Sequence, residues 1–527
     1  MRTCLSILIM LVCILCIPVQ GDSHAWAQSP AGKGKETDRA TGSDKAEKIK
    51  EPAEVEERIA ESTHEITITG RKIEYKATAG TLALKKDAED PKASVFFIAY
   101  TLTGSGDPAV RPVTFSFNGG PGSSSVWLHL GLLGPRRVYL DEMGTAPPPP
   151  FRLVDNEHSL LDQTDLVFVD PVSTGFSRPA EGEDPKQFHG LNEDIEAVGE
   201  FIRLYTSKYQ RWASPKFLIG ESYGTTRAAG LAGYLQDTHG MYLNGVMLVS
   251  SILNFQTARF AEGNDLPYVL FLPTYTATAW YHHRLEADLQ ASLANALKEA
   301  EDFALGEYAA ALMLGDDLPP ARYDAVARQL ARLTGLSEAY VRRTDLRISI
   351  WRFTKELLRD QRRTVGRLDS RFLGIDRDAA GESPSYDPSH SNILGAYSGM
   401  LNDYVRRELK FESDLPYEIL TGKVHPWSYG RFENRFVDVA ATLREAMTQN
   451  PALRVHVSNG YYDLATPYLA TRYTFNHLGL DSSLRDHVSM SYYEAGHMMY
   501  IHGPSLARQR ADLAAFIRQA AGAPQGR

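Results

Sequence analysis

At 527 residues, 43% of them hydrophobic and 23% charged, the chain has the composition of a soluble globular protein able to bury a large core. Its net charge of −9 is mild for that length, which argues against a nucleic-acid partner and against a strongly basic membrane-facing surface. All three cysteines, Cys4, Cys13 and Cys16, fall in one short apolar stretch, so the remainder holds no disulfide, thiol nucleophile or thiolate metal site.

That stretch sets the expected compartment. Arg2 supplies a positive start, residues 4–18 are apolar without charge, and Ala25-Trp26-Ala27 has the small-x-small form of a cleavage site. Residues 1–27 therefore read as a signal peptide. The run is shorter than the ~20 residues of a spanning helix, so the expectation is an exported chain, periplasmic or secreted, without stable membrane association after cleavage. Residues 28–62 are rich in Lys, Glu, Asp, Ala, Gly and Pro and read as a disordered charged linker.

From His64 the pattern changes to period-two alternation (Ile66, Ile68; Ile73, Tyr75; Leu82, Leu84), which predicts strands and hairpins opening a sheet. Further strands are expected at 95–100 and 113–117, the second running into a glycine-rich loop, NGGPGSSS, at 118–125. This loop has neither the G-K-[ST] ending of a P-loop nor dinucleotide spacing, so no nucleotide cofactor is implied. Residues 166–169 suit a buried parallel strand, and Ile195, Val198, Phe201, Ile202 and Tyr205 fall on one face of a helix capped by Asn192.

Residues 215–230 then read as strand, tight turn and helix around Gly220-Glu221-Ser222-Tyr223-Gly224, the context of a nucleophile elbow. After a strand at 246–250 the alternation stops, and 255–451 are helical in pattern, with helices expected within 285–310, 323–333 and 348–358. Strand signals resume at 453–457, which ends near Asp463, and at 488–493, which ends at Gly496-His497. A final amphipathic helix covers 504–521.

A serine hydroxyl needs a base to take its proton, and the base needs a carboxylate to hold one tautomer. Ser222, Asp463 and His497 stand at three strand ends in the chain order Ser, Asp, His of α/β-hydrolases. Ser222 is the expected nucleophile, His497 the base and Asp463 its orienting acid. His456, His477, His487 and His502 lack the combination of strand end and preceding glycine, and Asp170 precedes the serine, the wrong order for this fold. No histidine spacing argues for a metal.

The expected fold class is α/β: an α/β-hydrolase fold with a mostly parallel central sheet flanked by helices. The core occupies 63–254 and 452–527, and a mainly helical cap, 255–451, is inserted between its parts.

Four blocks, NGGPGSSS at 118–125, DPVSTGFS at 170–177, GESYG at 220–224 and GHM at 496–498, resemble the serine carboxypeptidases of the S10 peptidase family. The resemblance implies release of C-terminal amino acids from peptides or protein C-termini through an acyl-enzyme, without cofactor or metal. It implies the backbone N–H groups of Gly120 and Tyr223 as oxyanion donors. Asn118, the N–H of Gly119 and a protonated Glu221 would hold the terminal carboxylate, and Met498 would line the leaving residue's pocket.

Three positions depart from the family's pattern. Ser116 stands in place of its tryptophan, Ser123 in place of its cysteine, and Leu132 in place of a glutamate that shares a proton with the elbow glutamate. An acid pH optimum therefore does not follow from the resemblance alone. Two other readings use the same residues: an esterase or acyltransferase with this triad, and an exported binding protein on an inactive hydrolase fold.

Overall fold

Several segments of the chain carry apolar side chains at both odd and even positions, which only a strand buried on both faces requires. The computed structural model, which describes residues 57–86, 90–104 and 106–522, places them in one ten-stranded sheet. Its strands are β1 Ile59–Ile68, β2 Arg71–Lys85, β3 Pro91–Leu102, β4 Val113–Phe117, β5 Asp165–Val169, β6 Lys216–Glu221, β7 Gly245–Val249, β8 Arg454–Gly460 and β9 Val488–Tyr493, with the short strand Arg178–Pro179 beside β3. The spatial order is β1-β2-β3-β5-β4-β6-β7-β8-β9. Pairing is antiparallel from β1 to β5 and parallel from β5 onward.

Alternate residues feed opposite layers. Phe97, Phe115, Val167, Leu218 and Leu248 pack on one face against α1 Leu191–Lys208 and α2 Tyr223–His239. Phe96, Phe168, Ile219 and Met247 pack on the other. Each fully buried side chain of this kind stabilises by roughly 1.5–3 kcal/mol relative to exposure.

The connection order positions the site. The chain leaves β4 for β5 on one side and then crosses to β6 on the other side of β4. Such a reversal opens a crevice at the carboxyl ends of β4 and β6. The loops emerging there are 118–125 and the turn at Ser222.

Several expectations need correcting. The linker does not extend to residue 62: β1 begins at Ile59 and pairs along its whole length with β2, Ile59 opposite Gly80 and Ile68 opposite Arg71. The mostly exposed side chains of this edge strand leave little apolar signal before Ile66. The two strands expected around 73–84 are one 15-residue strand, β2. Residues 1–56, covering the expected leader and most of the linker, lie outside the described residues.

The helical stretch between β7 and β8 is not all of one kind. α3 Leu266–Tyr281 and α4 Pro320–Thr334 build a separate core with Leu297, Phe353 and Tyr462. By contrast α5 Pro388–Arg407 packs with α6 Gly503–Ala521 in one of the layers flanking the sheet. The helix Ala440–Gln449 lies in the other, beside α2. The helix expected within 285–310 is broken into Ala287–Gln290 and Leu293–Phe303, the latter started by the Ser292 side chain accepting from the N–H of Asn295.

Candidate active site

Ser222 follows the last residue of β6 and precedes the first of α2. Its backbone has φ 59° and ψ −128°, a conformation that costs a non-glycine residue on the order of 1–3 kcal/mol. The strain is held by the Ser222 N–H donating to Val249 at 3.0 Å and by its carbonyl accepting from the N–H of Thr225 at 2.8 Å and the Thr225 hydroxyl at 2.6 Å. Gly220 is required because a Cβ there would stand 2.1 Å from the Gly224 carbonyl oxygen.

Gly119 serves the neighbouring loop in the same way. A Cβ on it would meet the backbone nitrogen of Tyr223 at 2.5 Å, so only glycine lets the loop after β4 lie against the elbow. Among the described residues the N–H groups of Gly120 and Tyr223 donate to no backbone acceptor outside regular helix and strand ladders. Both residues line the cavity that also exposes Ser222. The loop is braced from behind by Arg227 of α2, which donates to the Asn118 carbonyl at 2.6 Å and to Asp194 of α1 at 2.7 Å, both side chains being buried.

Asp463 and His497 meet at the ends of β8 and β9. His497 Nδ1 lies 2.8 Å from Asp463 Oδ2, so the carboxylate accepts and the hydrogen is assigned to Nδ1, leaving Nε2 with its lone pair. Asp463 also accepts from the Thr466 hydroxyl at 2.6 Å and from the N–H groups of Ala465 and Thr466 at 2.8 and 3.0 Å. Burial alone would push the imidazole pKa down. The charge and hydrogen bond of Asp463, with the charge of Glu221, together outweigh it, and the net shift is upward.

The Ser222 hydroxyl makes no hydrogen bond to His497 or to any other described residue. The segments nonetheless share supports. Val249 accepts from the Ser222 N–H, and the next hydroxyl, Ser250, donates to the His497 carbonyl at 2.6 Å. Ala465 and Thr466 of the Asp463 turn line the same cavity as Ser222.

Sequence reasoning missed the support of the loops that carry Asp463 and His497. A segment far along the insertion, 367–371, bonds to both. The N–H of His497 donates to Leu368 at 2.6 Å, that of Gly496 to Asp369 Oδ2 at 3.1 Å, and that of Leu464 to Arg367 at 3.0 Å. Asp369 is itself held by the buried guanidinium of Arg371 at 2.7 Å. No motif announces this, because the partners are about a hundred residues apart in sequence.

Glu221, 4% exposed, accepts from the Asn118 amide at 3.0 Å through Oε1 and from the Tyr500 hydroxyl at 2.6 Å through Oε2. Its pKa is pushed up to about 7, by burial first, with His497, Tyr500 and Asn118 acting against the rise and Asp463 adding to it. Asn118 is fixed in turn by its Oδ1 accepting from the Leu128 N–H at 3.1 Å. Leu132 is buried in an apolar cluster, and Ser116 is buried with its hydroxyl unpartnered. Asn118, Gly119, Glu221 and Met498 are all buried and do not line the large cavity; Met498 belongs to the apolar cluster beneath the sheet. Two of the competing histidines have local partners: His456 pairs with Ser489 and His502 with Ser505.

Comparison with known proteins places this geometry. Residues 69–501 match the family model described as serine carboxypeptidase. Over 183 residues, 34% of the chain, it is 30% identical to serine carboxypeptidase-like 33 of Arabidopsis thaliana. Over 156 residues, 28% of the chain, it is 32% identical to the pheromone-processing carboxypeptidase KEX1 of Saccharomyces cerevisiae. These stretches span 34% and 20% of those relatives' own length. The crystal structure of KEX1(delta)P, a prohormone-processing carboxypeptidase from the same yeast, superposes with a TM-score of 0.54 at 17% identity, covering 84% of this chain and 91% of that one. The likeness to that structure shows the shared α/β-hydrolase fold. With a family model matched from the turn after β1 to just beyond His497, the chain belongs to the serine carboxypeptidase family.

Proposed function

We propose that the chain is a serine carboxypeptidase, releasing C-terminal residues from peptides through an acyl-enzyme. The observation that carries this reading is the buried Asp463–His497 pair, whose Asp463 turn shares a cavity with a strained Ser222 through Ala465 and Thr466. Ser222 Oγ attacks the scissile carbonyl carbon while its proton passes to His497 Nε2. The carbonyl oxygen becomes an oxyanion facing the N–H groups of Gly120 and Tyr223. Collapse breaks the C–N bond, and His497 returns the proton to the leaving amine. Water then attacks the acyl-Ser222 ester with the same base, and the free hydroxyl is restored.

In this reading Asn118, the N–H of Gly119 and Glu221 in its protonated form bind the terminal carboxylate, with Met498 backing the leaving residue. A neutral acid donates a hydrogen bond to a carboxylate, whereas an ionised one repels it. The helices of 266–358 are assigned as the cap. Export is assigned from the leader at 1–27, and the intact mass of the mature chain, starting at Gln28, checks it.

A second reading, an esterase or acyltransferase with the same triad, draws on the burial of Asn118 and Glu221 away from the cavity wall. Timed mass spectrometry of paired peptides separates the two. A carboxypeptidase removes one residue at a time from a free-acid peptide and cuts its C-terminally amidated twin far more slowly, and Glu221→Ala narrows that gap. Equal rates on the twins, or turnover of esters alone, overturn the proposal. A serine-directed fluorophosphonate that fails to label Ser222 overturns both hydrolase readings.

A further inference from the structure

The cavity at Ser222, about 780 Å³, is large enough for several residues of an extended peptide. Its wall is strongly cationic. Arg259, Arg347, Arg352 and Arg367 line it, and Glu382 is the one carboxylate among its described lining residues.

The four guanidinium groups are not equivalent. Arg347 is neutralised by a bidentate pair with Asp265, at 2.7 and 2.8 Å. Arg352 reaches Glu382 at 3.3 Å through side chains that are 39% and 78% exposed, a geometry of little energetic weight. Arg259 and Arg367 have no carboxylate partner among the described residues. Arg367 is the more telling of the two. Its Nε is buried without a hydrogen-bond acceptor, and its guanidinium stands 5.8 Å from the centre of the Trp351 ring. A buried donor without an acceptor is an unmet demand for one, and a carboxylate meets it most strongly when the donor is a guanidinium.

The backbone around Arg367 places that demand close to the chemistry. Its carbonyl accepts from Leu464, next to Asp463, and the carbonyl of Leu368 accepts from His497. Arg367 is also carried on the insertion, whereas Asn118, Gly119 and Glu221, assigned above to the terminal carboxylate, are absent from this wall. On that assignment the cavity is left to the acyl side of the substrate.

We propose that this cavity selects peptides carrying aspartate or glutamate on the acyl side of the scissile bond, with Arg367 binding the carboxylate of the residue nearest the bond and Arg259 that of a residue further along. The proposal rests on the carboxypeptidase reading and names its substrate class.

The test uses the full-length exported chain and three peptides identical except for Glu, Gln or Lys at the penultimate position. Release of the C-terminal residue is followed as kcat/KM. Wild type is expected to favour Glu over Gln by about tenfold, the discrimination of one charge-assisted hydrogen bond, and to disfavour Lys further. The preference should shrink as salt is raised. Arg367→Met is expected to remove most of the Glu-over-Gln ratio, a quantity independent of any change in overall rate. Arg259→Gln, at an exposed side chain, should lower the ratio for peptides acidic at the position before the penultimate one. Equal rates on Glu and Gln peptides in wild type, or a ratio untouched by both substitutions, overturn the inference while leaving the carboxypeptidase reading intact. Failure to release the terminal residue from any of the three overturns that underlying reading instead.

Discussion

The hydroxyl of Tyr500 donates to Oε2 of Glu221 at 2.6 Å, while Leu132 is buried in an apolar cluster. A phenol here is a permanent donor: burial and the adjoining Glu221 hold its own pKa well above the ordinary tyrosine value. The carboxyl group of Glu221 therefore titrates with its neighbour's charge unchanged.

Tyr500→Phe isolates this contact. The hydrogen bond favours ionised Glu221, so its loss raises the Glu221 pKa and extends binding of free-acid peptides to higher pH. The buried oxygen left without a donor costs about 1–3 kcal/mol of stability. A pH series of kcat/KM, with thermal unfolding alongside, reads both effects. An alkaline limb that moves downward contradicts the assignment.

For the wild type, the two shifted groups predict a narrow optimum near neutrality. His497 must be neutral to accept a proton, and its pKa is raised above the usual 6.5, so kcat/KM climbs with pH through a value above that. On the proposed reading Glu221 holds the terminal carboxylate in its protonated form, which is lost above about 7. The alkaline limb should vanish with ester or amidated substrates, which carry no terminal carboxylate, while the acid limb stays.

Arg227 ties α2, α1 and the Asn118 loop together through Asp194. Arg227→Met leaves a carboxylate uncompensated among buried residues, and unfolding in urea is expected to show a loss of about 3–5 kcal/mol. Replacing both partners, with Asp194→Leu added, should recover part of that loss but not the positioning of Asn118. The double variant therefore keeps a weakened KM for free-acid peptides.

Asp369→Ala removes the acceptor for the Gly496 N–H and the partner of Arg371. The His497 loop then loses one of its two tethers to the segment 367–371. A displacement of about 1 Å at a catalytic group costs up to ~100-fold in rate, so kcat should fall by about ten- to a hundredfold with KM little changed. Steady-state kinetics on one free-acid peptide measures this split.

The sheet was legible wherever burial is two-sided. Phe217-Leu218-Ile219 and Val246 to Val249 announce themselves because every position is apolar, and the glycines around Ser222 mark a turn that only small neighbours permit. The positions of Asp463 and His497 at strand ends were legible for the same reason. Other features left no local trace. β1 shows its alternation poorly because its less exposed positions before Ile66 are Ala60, Ser62 and His64, and α5 has the same amphipathic period whether it covers the sheet or a separate core. Tyr500 and Glu221 are 279 residues apart, and periodicity reports that a side chain is buried, not which group it meets.

The tethering of the Asp463 and His497 loops by residues 367–371 has a consequence for how such a molecule diversifies. Recognition and turnover share one length of backbone, so exchanging the whole segment between β7 and β8 for that of a relative would unseat the imidazole along with the specificity it was meant to change. A chimaera that keeps 366–371 and the Arg371–Asp369 pair, and grafts only the helices before them, respects that dependence.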